Sequence, residues 1–311
     1  QTFLLKPAGK GSGGSGPRGK SDPGGAGGAG GPGGSGPAGA AAEDSEFIIR
    51  IAPPDDMTQL FYEYRMMRQE PEIHSVVRER TTVPISEILA HDFSRSKVDR
   101  DYLIMPRIPG KPLSEAGLSL EAAERAHRRW GEYTAQLNSL TAGANEFGYS
   151  GAHRPMEPKS SWADAFFEMY RLELEDIRRL GVYDKGQIDY ALDLLREHLA
   201  VFDHVAAPVL FRPDGEVTAL IDFDRACWGD PEWDLAIADY CGVTTGAFLS
   251  GYGGDPRTAA GVSMEEAELR RTFYILYEHQ KYIVISLSAR RNDPAGARRY
   301  AEQSLRMMRR V

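Results

Sequence analysis

The stretch from Val217 to Ala236 constrains the fold of this chain more than any other part of the sequence. It opens on an apolar, β-rich run that ends on Asp222, and a second carboxylate, Asp224, follows two residues later. A strand that ends on carboxylates presents hard oxygen ligands from a rigid position, which suits Mg²⁺. Both residues also have a structural alternative, because an Asp after a strand often caps a turn or simply faces solvent.

Two further aspartates belong to the same stretch. Asp230 lies in a Gly-Asp-Pro turn, and Asp234 comes where an apolar helical pattern starts. An acidic side chain suits the first turn of a helix, where it interacts favourably with the helix dipole. The pattern therefore favours structural roles for Asp230 and Asp234.

The composition of the 311 residues excludes several classes of protein. A net charge of −8 argues against non-specific nucleic-acid binding and suits a cationic substrate, although an acidic surface often serves solubility alone. No apolar run reaches the roughly 18 residues of a membrane helix, and Phe3 to Leu5 is too short for a signal-peptide core. The two cysteines, Cys227 and Cys241, form no disulfide framework, so we expect a cytoplasmic protein in a reducing compartment.

The hydrophobic pattern divides the chain into three parts. Residues 1–46 are an N-terminal segment whose Gly-, Ser-, Pro- and Ala-rich stretch we interpret as a flexible insert. Residues 47–109 carry two predicted strands, Phe47 to Ile51 and Tyr102 to Met105, and a helical pattern from Met57 to Met67.

The third part, residues 110–311, is predicted to be mainly helical with one embedded hairpin. Ser119 is a suitable N-cap for its first helix. The hairpin joins Pro208 to Phe211 with Val217 to Ile221 across a Pro-Asp-Gly turn. Further helical patterns run from Phe166 to Ile177, from Ile188 to Leu199 and from Glu265 to Ser288.

The full motif resembles the metal-binding segment of the aminoglycoside phosphotransferase and choline kinase-like family. The matching letters are Ile-Asp-Phe-Asp from Ile221, Gly-Asp-Pro from Gly229 and Asp-Leu-Ala from Asp234. The resemblance covers residues 47–290 and implies an α+β, bilobal protein-kinase-like fold. Its small antiparallel-sheet lobe would bind the nucleotide, and its larger, mainly helical lobe would bind substrate and metal.

The resemblance also implies ATP and Mg²⁺ as cofactors. Asp222, assisted by Asp224, would hold the Mg²⁺ that bridges the ATP phosphates. Asp230 and Asp234 would support the metal-binding loop.

Four residues of the small lobe are candidates for ATP binding by the same resemblance. Arg50, inside the first strand, would reach the phosphates, and Glu63 would orient it through an ion pair. The alternative is that these are two unrelated surface charges. The backbone at Ile104 and Met105, in a hinge from Tyr102 to Pro109, would bind adenine.

The catalytic loop of the family, His-Gly-Asp followed by four residues and Asn, does not occur in the chain. Such a loop needs on the order of ten residues, and there is no room for it between Leu210 and Phe211. No Asn occurs from 146 to 291, and the pair Asp203-His204 has the wrong order. The catalytic residues, including the general base, are therefore unassigned.

Three hypotheses about function remain open. The first is an ATP-dependent phosphotransferase acting on a hydroxyl of a small molecule, for which the acidic charge suits a cationic acceptor. Without the loop, its activity should be far below that of an intact relative. The second is a pseudokinase-like module that binds a nucleotide or a partner. The third is a metal-dependent hydrolase that uses Asp222, Asp224 and Asp230 and turns over without ATP. The sequence carries no signal for oligomeric state.

Overall fold

The computed structural model describes most of the chain, and the structural statements below concern those residues. They are residues 2–5, 46–109, 117–143, 145–149, 151–205, 209–211, 225–255 and 263–311, with the backbone alone for 2–5 and 209–211. Asp222, Asp224, the predicted strand from Val217 to Ile221 and the predicted flexible insert lie outside the described residues.

A four-stranded antiparallel sheet forms the smaller part of the molecule. Its strands are β1 (Thr2–Leu5), β2 (Phe47–Ile51), β3 (Ala90–Asp92) and β4 (Tyr102–Pro106). They lie in the order β1-β2-β4-β3, so the two predicted strands are the central pair. The sequence pattern does not predict β1, because four residues are too few to show an alternating pattern.

The helix predicted from Met57 to Met67 is wrong in its position. A 3₁₀ turn at Met66–Gln69 leads into α1, which spans Glu70–Arg80. Arg65 has a left-handed backbone with φ of 58°, which no right-handed helix can pass through. Pro71 then lies in the first turn of α1, where its missing N–H leaves no hydrogen bond unmade.

Seven helices of the described residues form the larger part of the molecule. They are α2 (Leu120–Leu137), α3 (Trp162–Arg179), α4 (Lys185–Glu197), α5 (Glu232–Tyr240), α6 (Gly246–Tyr252), α7 (Met264–Leu287) and α8 (Pro294–Met308). Ser119 caps α2 as predicted, and Ser263 with Glu266 forms a capping box for α7. None of the described helices is long and apolar enough to cross a membrane.

A two-stranded antiparallel sheet is embedded in the helical part. Its strands are β5 (Val209–Phe211) and β6 (Cys227–Gly229). Sequence analysis does not anticipate β6, whose three residues carry no strand pattern of their own. Trp228 of β6 also exchanges backbone hydrogen bonds with Gly148, at 2.8 and 3.1 Å.

Aromatic side chains fill the core between α3, α5 and α7. The rings of Trp233 and Tyr274 stack with centroids 5.0 Å apart, and Phe166 meets both rings edge-on. A second, apolar cluster joins α1 to α2 and to the residue before β6. Its buried members are Ile73, Val77, Val83, Leu137, Leu140 and Ala226. The sheet part and the helical part therefore share a packed boundary at the start of β6.

Candidate functional site

Arg50 lies in β2, opposite Leu103 of β4, and its side chain reaches α1. Its Nη1 donates to Oε2 of Glu70 at 2.5 Å. The side chain of Glu70 is fully buried, whereas that of Arg50 keeps 18% exposure. The carboxylate therefore holds the guanidinium, while part of the Arg50 side chain stays exposed to solvent.

Glu70, which sequence analysis did not single out, is an ion-pair partner of Arg50. Glu63 lies in the turns before α1, where its Oε2 accepts the N–H of Leu60 at 2.7 Å. Glu70 was missed because the helix was predicted too early in the chain, whereas α1 begins only at Glu70. The signal in the sequence was the acid directly before Pro71, a pair typical of a helix start. A contact of Glu63 with the nucleotide stays a prediction.

Glu70 also faces His74, one turn later on α1. Oε2 of Glu70 is 3.8 Å from Nε2 of His74. Nδ1 of His74 lies 2.8 Å from the carbonyl oxygen of Ser86, and since a carbonyl only accepts, Nδ1 carries a proton. These contacts fix the start of α1 against both β2 and the chain that leads to β3.

Ile104 and Met105 lie in β4, next to the strand that carries Arg50. The carbonyl of Ile104 accepts the N–H of Leu89 at 2.9 Å, which uses one of its two lone pairs. Met105 lies opposite Ile48 of β2 and is buried. Both residues thus lie inside β4, and adenine binding by them stays a prediction.

The chain that follows the predicted metal ligands enters the described structure at Arg225. This arginine is buried, with Nη2 3.4 Å from Oε1 of Glu278 on α7 and its guanidinium 5.1 Å from the ring centre of Tyr62. The carbonyl of Ala226 accepts a hydrogen bond from the side-chain amide of Gln69 at 3.2 Å. Contacts from both parts of the molecule thus hold this backbone.

A buried carboxyl group lies close to Arg225. Glu173 of α3 is fully buried, and neither of its oxygens has a hydrogen-bond partner in the described structure. Burial raises the pKa of Glu173 well above its usual range, and the charge of Glu278 adds to this, while Lys281 and Arg225 act in the opposite direction. We therefore expect Glu173 to be protonated at neutral pH.

Asp230 anchors α5 to α7. Its Oδ2 accepts the hydroxyl of Tyr274 at 2.6 Å and lies 2.8 Å from Nε of Arg270, while Oδ1 accepts the N–H of Glu232 at 2.9 Å. Asp234 lies in the first turn of α5, as expected from its position after the turn. Support of a metal-binding loop by these residues stays a prediction, because the loop lies outside the described residues.

The metal ligands predicted at Asp222 and Asp224 are likewise untested. Within the described ranges, no group of three or more His, Cys, Asp or Glu side chains could hold a metal ion. Carboxylate oxygens are nevertheless the donors that Mg²⁺ takes, so the chemistry of this pair fits the ion. Three residues at the site were missed by sequence analysis, namely Glu70, Gln69 and Arg225.

Comparison with known protein families gives a match over most of the chain. The sequence profile described as "Phosphotransferase enzyme family" matches residues 39–262. The matched range contains β2, α1, β4 and the motif from Asp222 to Ala236. It confirms the resemblance that the motif indicated.

Two relatives are both named as probable ketoamine kinases. A "Probable ketoamine kinase" of Vibrio cholerae serotype O1 is 30% identical over 195 residues, which are 57% of this chain and 62% of the relative. A "Probable ketoamine kinase" of Vibrio parahaemolyticus is 28% identical over 199 residues, which are 59% of this chain and 64% of the relative. The matched part of the chain thus spans less than two thirds of each relative.

Solved structures of similar fold are aminoglycoside kinases. The gentamicin complex of APH(2")-IIa has a TM-score of 0.57 at 14% identity, covering 86% of this chain and 88% of that chain. ADP-bound APH(2'')-Ib has a TM-score of 0.55 at 14% identity, covering 86% and 90%. At these identities the likeness concerns the fold, and it confirms the predicted bilobal, kinase-like architecture.

Proposed function

Because the chain belongs to the phosphotransferase enzyme family, we propose that it is an ATP-dependent kinase of a small molecule, transferring the γ-phosphate to a hydroxyl group. The ion pair between Arg50 and Glu70 carries the proposal. A guanidinium that is fixed by a buried carboxylate and still partly exposed offers oriented donors to phosphate oxygens.

The residues would divide the work as follows. Arg50 would bind the phosphates, and Glu70 would hold Arg50 in the binding orientation. Asp222 and Asp224 would hold Mg²⁺, which neutralises charge on the transferred phosphoryl group when it is bound. Catalysis of this kind depends mainly on positioning and on charge neutralisation, so the distance between the two groups of residues matters.

We propose a ketoamine as the class of acceptor. A ketoamine is a sugar-derived ketone with several hydroxyl groups. A basic nitrogen is attached to the carbon next to the ketone carbonyl. Two relatives are named as probable ketoamine kinases, and the net charge of −8 favours a cationic acceptor over an anionic one.

The absent catalytic loop favours a second candidate function. Leu210 and Phe211, between which the loop would stand, are consecutive residues of β5 and pair with Trp228 and Cys227 of β6. With no base supplied there, transfer should be far slower than in a relative that has the loop. The second candidate is therefore a module that binds the nucleotide and transfers no phosphate.

A transfer assay with several acceptors tests the proposal. The chain, at a concentration close to that of the acceptor, is incubated with Mg-ATP and a lysine-derived ketoamine, kanamycin or choline, and products are identified by mass spectrometry. The comparison proteins are Asp222→Ala and Asp189→Ala, the latter removing an exposed carboxylate of α4.

We expect slow phosphorylation of the ketoamine that is lost in Asp222→Ala and kept in Asp189→Ala. Phosphorylation of kanamycin or choline alone would refute the ketoamine and leave the kinase. If none of the three acceptors is phosphorylated, the second candidate function replaces the first.

A further inference from the structure

Gln69 connects two segments that lie 157 residues apart in the sequence. Its side-chain Nε2 donates to the carbonyl of Ala226 at 3.2 Å, and both residues are buried. A hydrogen bond in such surroundings is stronger than one in water and costly to leave unmade. The contact therefore fixes the separation between the end of the 3₁₀ turn and the chain just before β6.

The position of Gln69 in the chain gives this contact its meaning. Gln69 is the last residue of the 3₁₀ turn and directly precedes Glu70, the partner of Arg50. Ala226 follows Asp222 by four positions in the sequence. Of these two consecutive residues, Glu70 contacts the strand that carries Arg50. Gln69 contacts the chain that follows the proposed metal ligands.

The amide of Gln69 is also confined by Gly151. A Cβ atom at position 151 would lie 2.1 Å from Oε1 and 2.7 Å from Cβ of Gln69, far closer than atoms can approach. Only glycine leaves room for the glutamine side chain at this position. The side chain is therefore held between the backbone of Gly151 and that of Ala226.

The neighbour of Ala226 is held from the opposite direction. Arg225 contacts Glu278 of α7 and the ring of Tyr62, so its side chain is fixed by the helical part and by the turns before α1. The hydrogen bond from Gln69 completes this arrangement from the sheet side. Without it, the backbone at Ala226 would lose its polar contact with the start of α1.

We propose that Gln69 is a positioning residue, which sets the distance between Glu70, the partner of Arg50, and the backbone of Ala226, four positions after the proposed metal ligand Asp222. The inference rests on the proposed nucleotide site. It requires that a change at Gln69 alters how strongly Mg²⁺ increases ATP affinity. The affinity for ATP in the absence of Mg²⁺, to which Arg50 contributes, should stay the same.

The test measures ATP affinity by calorimetry as a function of Mg²⁺ concentration. Gln69→Met keeps the length of the side chain and removes the donor. We expect the Mg²⁺ concentration at half-effect to rise about 3- to 10-fold, the value of one buried hydrogen bond, with unchanged affinity for metal-free ATP. Hydrogen exchange of the backbone amides from Ala226 to Gly229 should become faster in the same variant.

The matched control is Gln136→Met. Gln136 of α2 also bridges the two parts of the molecule, because its Oε1 accepts the N–H of Thr82 at 2.8 Å, away from the candidate site. We expect no change in the Mg²⁺ dependence for this variant. Gly151→Ala displaces the side chain of Gln69 and should reproduce the effect of Gln69→Met. It serves as the test variant if Gln69→Met fails to fold.

The failure of this inference can be told from failure of the proposed function. Suppose that the unaltered chain binds Mg-ATP and that the variants of Gln69 and Gly151 have the same Mg²⁺ dependence as the unaltered chain. Gln69 is then not a positioning residue, and the nucleotide site stands. An equal shift in Gln136→Met would also overturn the inference, because any bridge between the parts would then have the effect. If the unaltered chain binds no Mg-ATP, the proposed function and the inference fall together.

Discussion

Two groups of buried ion pairs use the same chemistry in different ways. In the pair that joins β2 to α1, the side chain of Glu70 is fully buried and that of Arg50 is 18% exposed. In the group between α5 and α7, which pairs Arg270 with Asp230 and Arg271 with Glu232, each side chain is 9% exposed or less. A cation that keeps contact with solvent can bind a ligand, whereas an enclosed cation can only hold the protein together.

The comparison therefore separates a candidate ligand-binding pair from structural pairs by accessibility alone. Breaking an enclosed pair should cost stability, because the remaining charge is left without a partner in the interior. Removing the partly exposed cation should cost ligand affinity as well as stability, because it also deprives the buried carboxylate of Glu70 of this cation. Variants of both groups can confirm or refute this distinction.

Asp230→Ala should have the largest effect. It leaves Arg270 buried without its carboxylate and removes the acceptor of the Tyr274 hydroxyl. We expect the free energy of unfolding, measured by urea denaturation, to fall by about 3–5 kcal/mol. A loss below about 1 kcal/mol would show that the enclosed ion pairs do not stabilise the fold as we propose.

Arg50→Met should act on ligand affinity. The variant keeps the aliphatic part of the side chain and removes the charge, so a charge-assisted hydrogen bond worth about 1.5–3 kcal/mol is lost. We expect Mg-ATP affinity, measured by calorimetry, to fall about 10- to 100-fold. Arg50→Lys keeps the charge and should retain most of the affinity. Unchanged affinity in Arg50→Met would remove Arg50 from the nucleotide site.

Asp176 sharpens the comparison, because among the described residues the ion-pair partner of this buried carboxylate is Arg179, whose side chain is exposed. Its Oδ2 accepts the N–H of Phe61 at 2.7 Å, and burial raises its pKa from 3.8 to about 6. Between these two pH values the folded protein binds more protons than the unfolded chain, so stability falls as pH rises through this window.

Asp176→Asn removes the titrating group and keeps an acceptor for Phe61. We expect urea denaturation between pH 4 and pH 7 to show a decrease of roughly 2 kcal/mol for the unaltered protein that is absent from this variant. The same decrease in both proteins would mean that other groups titrate in this range.

Arg78→Met should have the smallest effect. Arg78 lies on α1, the helix that also carries Glu70, and pairs with Glu87 at 3.2 Å, but the two side chains are 44% and 53% exposed. An exposed pair of this kind contributes about 0–1 kcal/mol to stability. We expect little change in either the unfolding free energy or Mg-ATP affinity. A loss as large as that of Asp230→Ala would show that exposure does not separate the two groups.

Local signals explain which parts of the fold were predictable. The cap at Ser119 lies next to the helix that it starts, so the sequence alone was sufficient to predict it. The position of α1 depends on the backbone of Arg65 and on packing against α2, and neither is encoded in a helical spacing of apolar residues. The strands β1 and β6 become strands only by pairing with distant partners.

The candidate site was predictable to a similar extent. Arg50 was singled out because a cation in an apolar strand is unusual, and its partner Glu70 was missed because the helix was predicted too early in the chain. Gln69 and Arg225 carry no motif, and their roles follow from contacts between segments far apart in the chain. Contacts of this kind leave no periodic mark in a single sequence.

The most direct test of the account is a calorimetric titration of the unaltered chain and of Asp222→Ala with Mg-ATP. We expect saturable binding of one nucleotide to the unaltered chain, weakened about 10-fold or more in Asp222→Ala. Absence of binding to the unaltered chain, or equal binding to both proteins, would contradict the claim that a Mg-ATP site is formed by Arg50, Glu70 and the segment that carries Asp222.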